Sequence, residues 1–95
     1  MFLHLTDACY LKDYTVRVTF NNGKTGTVDL SCALKGPVFE PLKNQALFSQ
    51  LKIDEELATI VWPNGADLAP EYLYYLAFND DLSLKDQFVR WGYIS

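Results

Sequence analysis

Apolar and polar residues alternate along two early stretches, residues 5–11 and 14–20, and that period of two predicts a β-hairpin. In the second stretch Tyr14, Val16, Val18 and Phe20 fall on one face, and Thr15, Arg17 and Thr19 on the other. In the first, Leu5, Cys9 and Leu11 share a face that Asp7 interrupts. A two-residue connection at Lys12-Asp13 would set Leu11 opposite Tyr14 and Cys9 opposite Val16, so the apolar faces coincide. Lys-Asp is a poor sequence for the favoured two-residue turns. The next reversal lies at Asn21-Asn22-Gly23. A two-residue loop there would put Val28 opposite Arg17 and send Val28 and Leu30 to the polar side. A three-residue loop, with Gly23 left-handed, puts Val28 opposite Val16 and Leu30 opposite Tyr14, and is the connection expected.

Beyond residue 30 the pattern breaks into shorter units. Asp29 and Ser31 suit a helix start, and a short helical turn is expected through Cys32-Ala33-Leu34 until Gly36-Pro37 stops it. Val38 to Leu42 reads as a largely buried connector, and Asn44 as the cap of a short helix over Gln45–Gln50 that buries Leu47 and Phe48. Leu51-Lys52-Ile53 and Ala58–Trp62 read as two more strands, with Asp54-Glu55-Glu56 as a solvated link. Pro63 cannot donate to a sheet ladder, Asn64-Gly65 is a turn pair, and Pro70 presets φ for a helix to about Phe78. Leu73 and Leu76, with Leu68 and Tyr72 nearby, give that helix its apolar stripe. Ser83 and Asp86 have the spacing of a capping box before a last helix whose Leu84, Phe88 and Trp91 share a face and whose stop is Gly92. The fold class expected is α+β: a small antiparallel sheet of four to five strands with short helices on one side. Residues 1–78 read as a single domain and 79–95 as its C-terminal helical extension.

Val38-Phe39-Glu40-Pro41-Leu42, a following Phe48, and the run from Trp62-Pro63-Asn64-Gly65-Ala66-Asp67 to Leu68-Ala69-Pro70-Glu71-Tyr72-Leu73 carry a family resemblance. With Val28-Asp29-Leu30 upstream, they resemble a bacterial family of small domains of unknown function, over residues 5–75. The resemblance implies a small α+β domain of bacterial origin with no established activity. Some members of that family look like partners of another small protein in gene pairs of toxin–antitoxin style. Others carry names from molybdopterin-dinucleotide synthesis, which no residue of this chain supports.

Composition narrows the function classes. With 95 residues, 49% of them apolar and 15% aromatic, the chain can bury a core and is not a disordered segment. The formal net charge of −4 and the lack of any Lys/Arg run argue against a phosphate-tracking surface, so direct nucleic-acid binding is disfavoured. No apolar run is long enough to span a bilayer, and Met1-Phe2-Leu3-His4-Leu5 lacks the basic start and the length of a leader, so no membrane partner and a cytoplasmic location are expected. There Cys9 and Cys32 stay reduced.

The candidate chemistry centres on Trp62, Asn64, Asp67 and Glu71. Two carboxylates beside an aromatic can in principle move protons or hold a ligand. The competing account is structural: Asn64 makes the turn, Asp67 hydrogen-bonds the loop or helix start, Glu71 complements the helix N-terminus, and Trp62 packs. His4 has no nearby acid or nucleophile in sequence, and Cys9 and Cys32 lack metal-finger spacing, so no metal is expected. No serine sits in a nucleophile elbow, and Gly23, Gly26 and Gly36 are too scattered for a phosphate loop, so no cofactor is expected. Tyr72, Tyr74, Tyr75 and Phe78, with Trp91 and Tyr93, are many aromatics for one stretch and could form an exposed patch for a protein partner or a homodimer. The function expected is a non-catalytic protein-interaction or accessory domain of a bacterial protein. The alternatives are an antitoxin-like regulator paired with a small protein and a small-molecule site around Trp62.

Overall fold

Three strands pair antiparallel in chain order: β1 (Leu5–Lys12), β2 (Thr15–Phe20) and β3 (Thr25–Asp29). The computed structural model describes residues 3–93; Met1, Phe2, Ile94 and Ser95 lie outside the described residues, and with them the ends of the N-terminal stretch read for a leader and of the 79–95 extension. The β2–β3 register is the expected one. Val16 faces Val28, the Leu30 N–H donates to the Tyr14 carbonyl at 2.9 Å, and Gly23 takes a φ of 86° that an L side chain rarely adopts. Val16, Val18, Phe20, Val28 and Leu30 are all buried as a result.

The β1–β2 register differs from the expected one. Cys9 faces Arg17, while Tyr10 faces Val16 and Ala8 faces Val18. The turn falls one residue later, at Asp13 and Tyr14, with Asp13 at a φ of 48°. Asp is among the residues that best tolerate that left-handed conformation. Register shifts between Leu5 and Asp7 and between Tyr10 and Lys12 then keep Leu5 in the core while turning Asp7 toward water and leaving Cys9 half-buried opposite Arg17. The apparent interruption at Asp7 is thus an outward position beside a bulge.

A second sheet pairs β4 (Lys52–Asp54) with β5 (Thr59–Val61). The five strands therefore divide into a three-stranded and a two-stranded sheet. The link between β4 and β5 folds on Asp54, whose carboxylate accepts from the N–H groups of Glu56 and Leu57 at 2.9 and 3.0 Å. Ala58 follows at a φ of 58°, and its carbonyl accepts from the Leu5 N–H at 2.9 Å, which ties the two sheets together.

Short helices complete the core. A 3-10 turn covers Ser31–Ala33, and another covers Glu40–Lys43, overlapping the connector expected to be largely buried. That segment is instead mostly exposed, with only Leu42 buried and Val38 48% exposed. The Asn44 side chain accepts from the N–H groups of Ala46 and Leu47, capping α1 (Gln45–Phe48). The helix α2 (Pro70–Phe78) starts at Pro70, and α3 (Lys85–Trp91) ends at Gly92, left-handed with φ 87°. The cap before α3 is not the Ser83–Asp86 box. Asp81 caps a 3-10 turn over Leu82–Leu84 by accepting from the Ser83 N–H, and the Ser83 hydroxyl bonds the same carboxylate at 2.6 Å. A short carboxylate one turn earlier reaches the free N–H groups and outcompetes the longer-range box. Phe88 of α3 is buried in the same cluster as Phe20, Phe48, Trp62 and Leu73. Among the described residues no helix is long and apolar enough to cross a membrane.

The two Asx-type turns predict an acid response. The Ser83 hydroxyl, and then its N–H, hold the Asp81 carboxyl below its ordinary value of 3.8, and the Ser31 N–H and hydroxyl do the same for Asp29. A carboxyl whose folded value is depressed contributes stability above its unfolded value and loses it as pH falls through the folded one. Asp81→Asn is therefore expected to flatten the fall in melting temperature below pH 3.8, and melting curves of both proteins across that range check it.

Candidate functional site

β5 hands over to α2 through a tight corner. The Trp62 N–H donates to the Ala66 carbonyl at 2.9 Å, the Gly65 N–H returns to the Trp62 carbonyl at 3.0 Å, and Gly65 sits at a φ of 89°. A single β-bridge then joins Val61 to Asp67. The Thr59 hydroxyl, itself buried, donates to the Leu68 carbonyl.

Each candidate residue has a definite place on this corner. Trp62 is 2% exposed, its ring lies 5.6 Å from that of Phe48, and its indole N–H donates to the Phe48 carbonyl at 2.9 Å. Asn64 is bonded at both ends of its amide: Nδ2 donates to the Val38 carbonyl at 2.9 Å and Oδ1 accepts from the Ala66 N–H at 3.2 Å. Asp67 meets the strand through its backbone. Its exposed carboxylate has no hydrogen bond among the described residues, unlike the expected bond to the loop or helix start. Glu71 lies in the first turn of α2, where a negative charge complements the helix dipole. The structure gathers the four along one corner, but Trp62 is inside the core while Asp67 faces water.

The C-terminal aromatics pack on one another. Tyr75 stacks on Tyr93 at 5.0 Å and meets Phe88 edge-on at 5.2 Å, and Tyr74 meets Trp91 at 6.1 Å. Burial first, then the charge of Glu71, raises the Tyr93 hydroxyl above its ordinary 10.0. The patch expected to seat a protein partner or a second copy is largely spent on contacts within the chain.

A cavity of about 590 Å³ opens elsewhere, at the junction of the two sheets, lined by His4, Leu5, Thr6, Asp7, Ile53, Glu55 and Ala58. None of the four corner residues lines it. Asn21 fixes His4 from two sides: its Oδ1 accepts from the His4 N–H at 3.2 Å, and its Nδ2 lies 3.3 Å from the His4 Nδ1. Asp7 stands only three residues beyond His4, and the fold lines one cavity with His4, Asp7 and Glu55, which corrects the expectation that no acid lies near His4. The one signal in the sequence was Asp7, a charge inside an otherwise alternating strand.

Comparison with known proteins adds the following. A family model described as a protein of unknown function, DUF2442, matches residues 5–79. The sequence matches none of the curated proteins. Among solved structures, the crystal structure of NE0471 from Nitrosomonas europaea ATCC 19718, named as a candidate DNA-binding protein, is similar with a TM-score of 0.75 at 22% identity. The match covers 97% of this chain and spans 63% of the length of NE0471. Likeness at that identity is likeness of fold. It nonetheless corrects the view that nucleic-acid binding is disfavoured. A protein of this fold carries a DNA-binding name, and the expectation against that class does not stand beside it.

Proposed function

The chain belongs to the DUF2442 family, whose model covers residues 5–79, and from that premise we propose that it is a non-catalytic accessory domain of a DNA-associated bacterial regulator. What supports the non-catalytic part is the use of polar groups at the Trp62 corner. The indole N–H, both ends of the Asn64 amide and the Thr59 hydroxyl are bonded to backbone and are therefore not held ready for a substrate. What supports the DNA association is the likeness to NE0471, a candidate DNA-binding protein of which more than a third lies outside the match. In this role the domain works in the cytoplasm by binding and positioning, and either its own surface or an attached or associated partner makes the DNA contact.

A small-molecule site at Trp62, Asn64, Asp67 and Glu71 has less support, because the ring is buried and the amide is already bonded. The antitoxin-style alternative shares the regulatory setting and differs in its partner, a small toxic protein. Immunoprecipitation of the tagged full chain from its native host decides. DNA is expected to be enriched over a tagged control, and the enrichment is expected to fall as salt rises. No enrichment of DNA overturns the proposal, and recovery of a small protein whose toxicity the chain relieves replaces it with the antitoxin.

A further inference from the structure

The cavity at the sheet junction plays no part in that function and has a chemistry of its own. Its walls come from the start of β1, from Ile53 of β4, and from Glu55 and Ala58 of the following link. Ile53 and Ala58, both partly exposed, supply apolar surface, Leu5 is itself almost wholly buried, and Asp7 and Glu55 bring two exposed carboxylates. No lysine or arginine lines it. Among the described residues neither carboxylate has an ion-pair or hydrogen-bond partner, whereas Asp54 next to Glu55 is consumed by the turn. The Thr6 hydroxyl is also engaged, on the Thr19 carbonyl at 3.3 Å. The volume of about 590 Å³ falls within the range of roughly 300–1,000 Å³ common for small-ligand clefts.

A cleft with apolar walls and two free negative charges favours a ligand with the opposite make-up. Among the described residues no three His, Cys, Asp or Glu side chains are grouped to hold a metal ion. A bare cation would also leave the apolar surface of Ile53 and Ala58 uncovered. An organic cation on a short hydrocarbon chain satisfies both parts: its charge meets Asp7 and Glu55, and its methylenes cover the apolar walls. We infer that this cleft binds an alkyl cation, an ammonium or guanidinium group on a stem of a few carbons. Such a group occurs on free amines and on Lys or Arg side chains. The clamp of Asn21 on His4 and the hydrogen bond from Leu5 to Ala58 hold the walls in place before any ligand arrives.

Titration of the ¹⁵N-labelled full chain with n-butylammonium and n-butylguanidinium, against butyrate as the isosteric anion, tests the site. The cations are expected to give saturable amide shifts at residues 4–7, 53, 55 and 58, weakened by salt, while butyrate leaves these amides unmoved. Asp7→Asn combined with Glu55→Gln is expected to weaken binding by about tenfold or more. Both side chains are exposed and unpaired, so the variant keeps its melting temperature, and equal melting curves confirm that any loss is local. A blocked peptide with a single lysine among glycine and serine separates the two sources. Tighter binding of the peptide assigns the cation to a partner's side chain, equal or weaker binding assigns it to a free amine, and both uphold the site. Absence of saturable shifts with either cation, equal shifts with butyrate, or undiminished binding by the double variant overturns it. None of these outcomes bears on DNA association, so the two proposals stand or fall separately.

Discussion

Trp62→Ala is expected to unfold at a far lower urea concentration than the native chain. Trp62 is 2% exposed and lies against Phe48, so truncating it empties a large volume between the second sheet and α1. Removing a buried tryptophan costs about 3–5 kcal/mol, a large share of the roughly 5–15 kcal/mol that holds a small domain together. Trp62→Phe separates packing from hydrogen bonding. It keeps most of the bulk but leaves the Phe48 carbonyl without its indole donor, worth about 1–3 kcal/mol. Urea midpoints of the native chain and both variants, read with unchanged slopes, check the order. If Trp62→Ala matched the native midpoint, the corner would not be the scaffold joining sheet to helix.

Gly26→Val is the second large effect. An added Cβ at Gly26 would lie 2.9 Å from the Ala77 Cβ and 3.1 Å from the Phe78 Cζ, closer than side chains pack. The obstacle is α2 crossing the inner face of β3, so relief requires moving a helix and not merely turning a flexible side chain. Overpacking of this kind costs about 1–3 kcal/mol, with alanine at the low end and valine at the high end. Ala77→Gly removes one of the colliding carbons and is expected to restore part of the loss in a Gly26→Ala background while destabilising the native chain by itself. Thermal melts of the four proteins of that cycle measure the coupling. Simple additivity would mean that the strand and helix do not meet at this contact.

Local signals carried much of the fold. The β2–β3 register was legible because one glycine and one apolar face permit only one loop length: any slip exposes Val28 and Leu30. The starts of α1 and α2 and the stop of α3 were legible for a similar reason, since Asn44, Pro70 and Gly92 act within a turn of where they stand, whereas the Ser83–Asp86 box read as the start of α3 gives way to the Asp81 cap. The β1 register was not legible, because it depends on two irregularities that no residue type announces, and because Asp13 takes a backbone conformation ordinarily left to glycine. The place of Gly26 depends on a helix some fifty positions away, and the sequence offered only a scattered glycine. Of the candidate corner, the turn at Asn64 and Gly65 could be read, but not that Asn64 reaches Val38 across 26 positions. The cavity lay furthest from view, since it joins residues 4–7 to residues 53–58 through a contact between two sheets.

The irregular pairing of β1 also bears on how this fold can change. A strand already held by two local offsets can absorb a gained or lost residue by sliding one of them along, with Leu5 and Tyr10 keeping their seats. The hairpin beside it has no such slack. Drift in chain length should therefore collect in the first strand, which also forms one wall of the sheet-junction cleft, so the mouth of that cleft can be retuned while the remaining core is inherited unchanged.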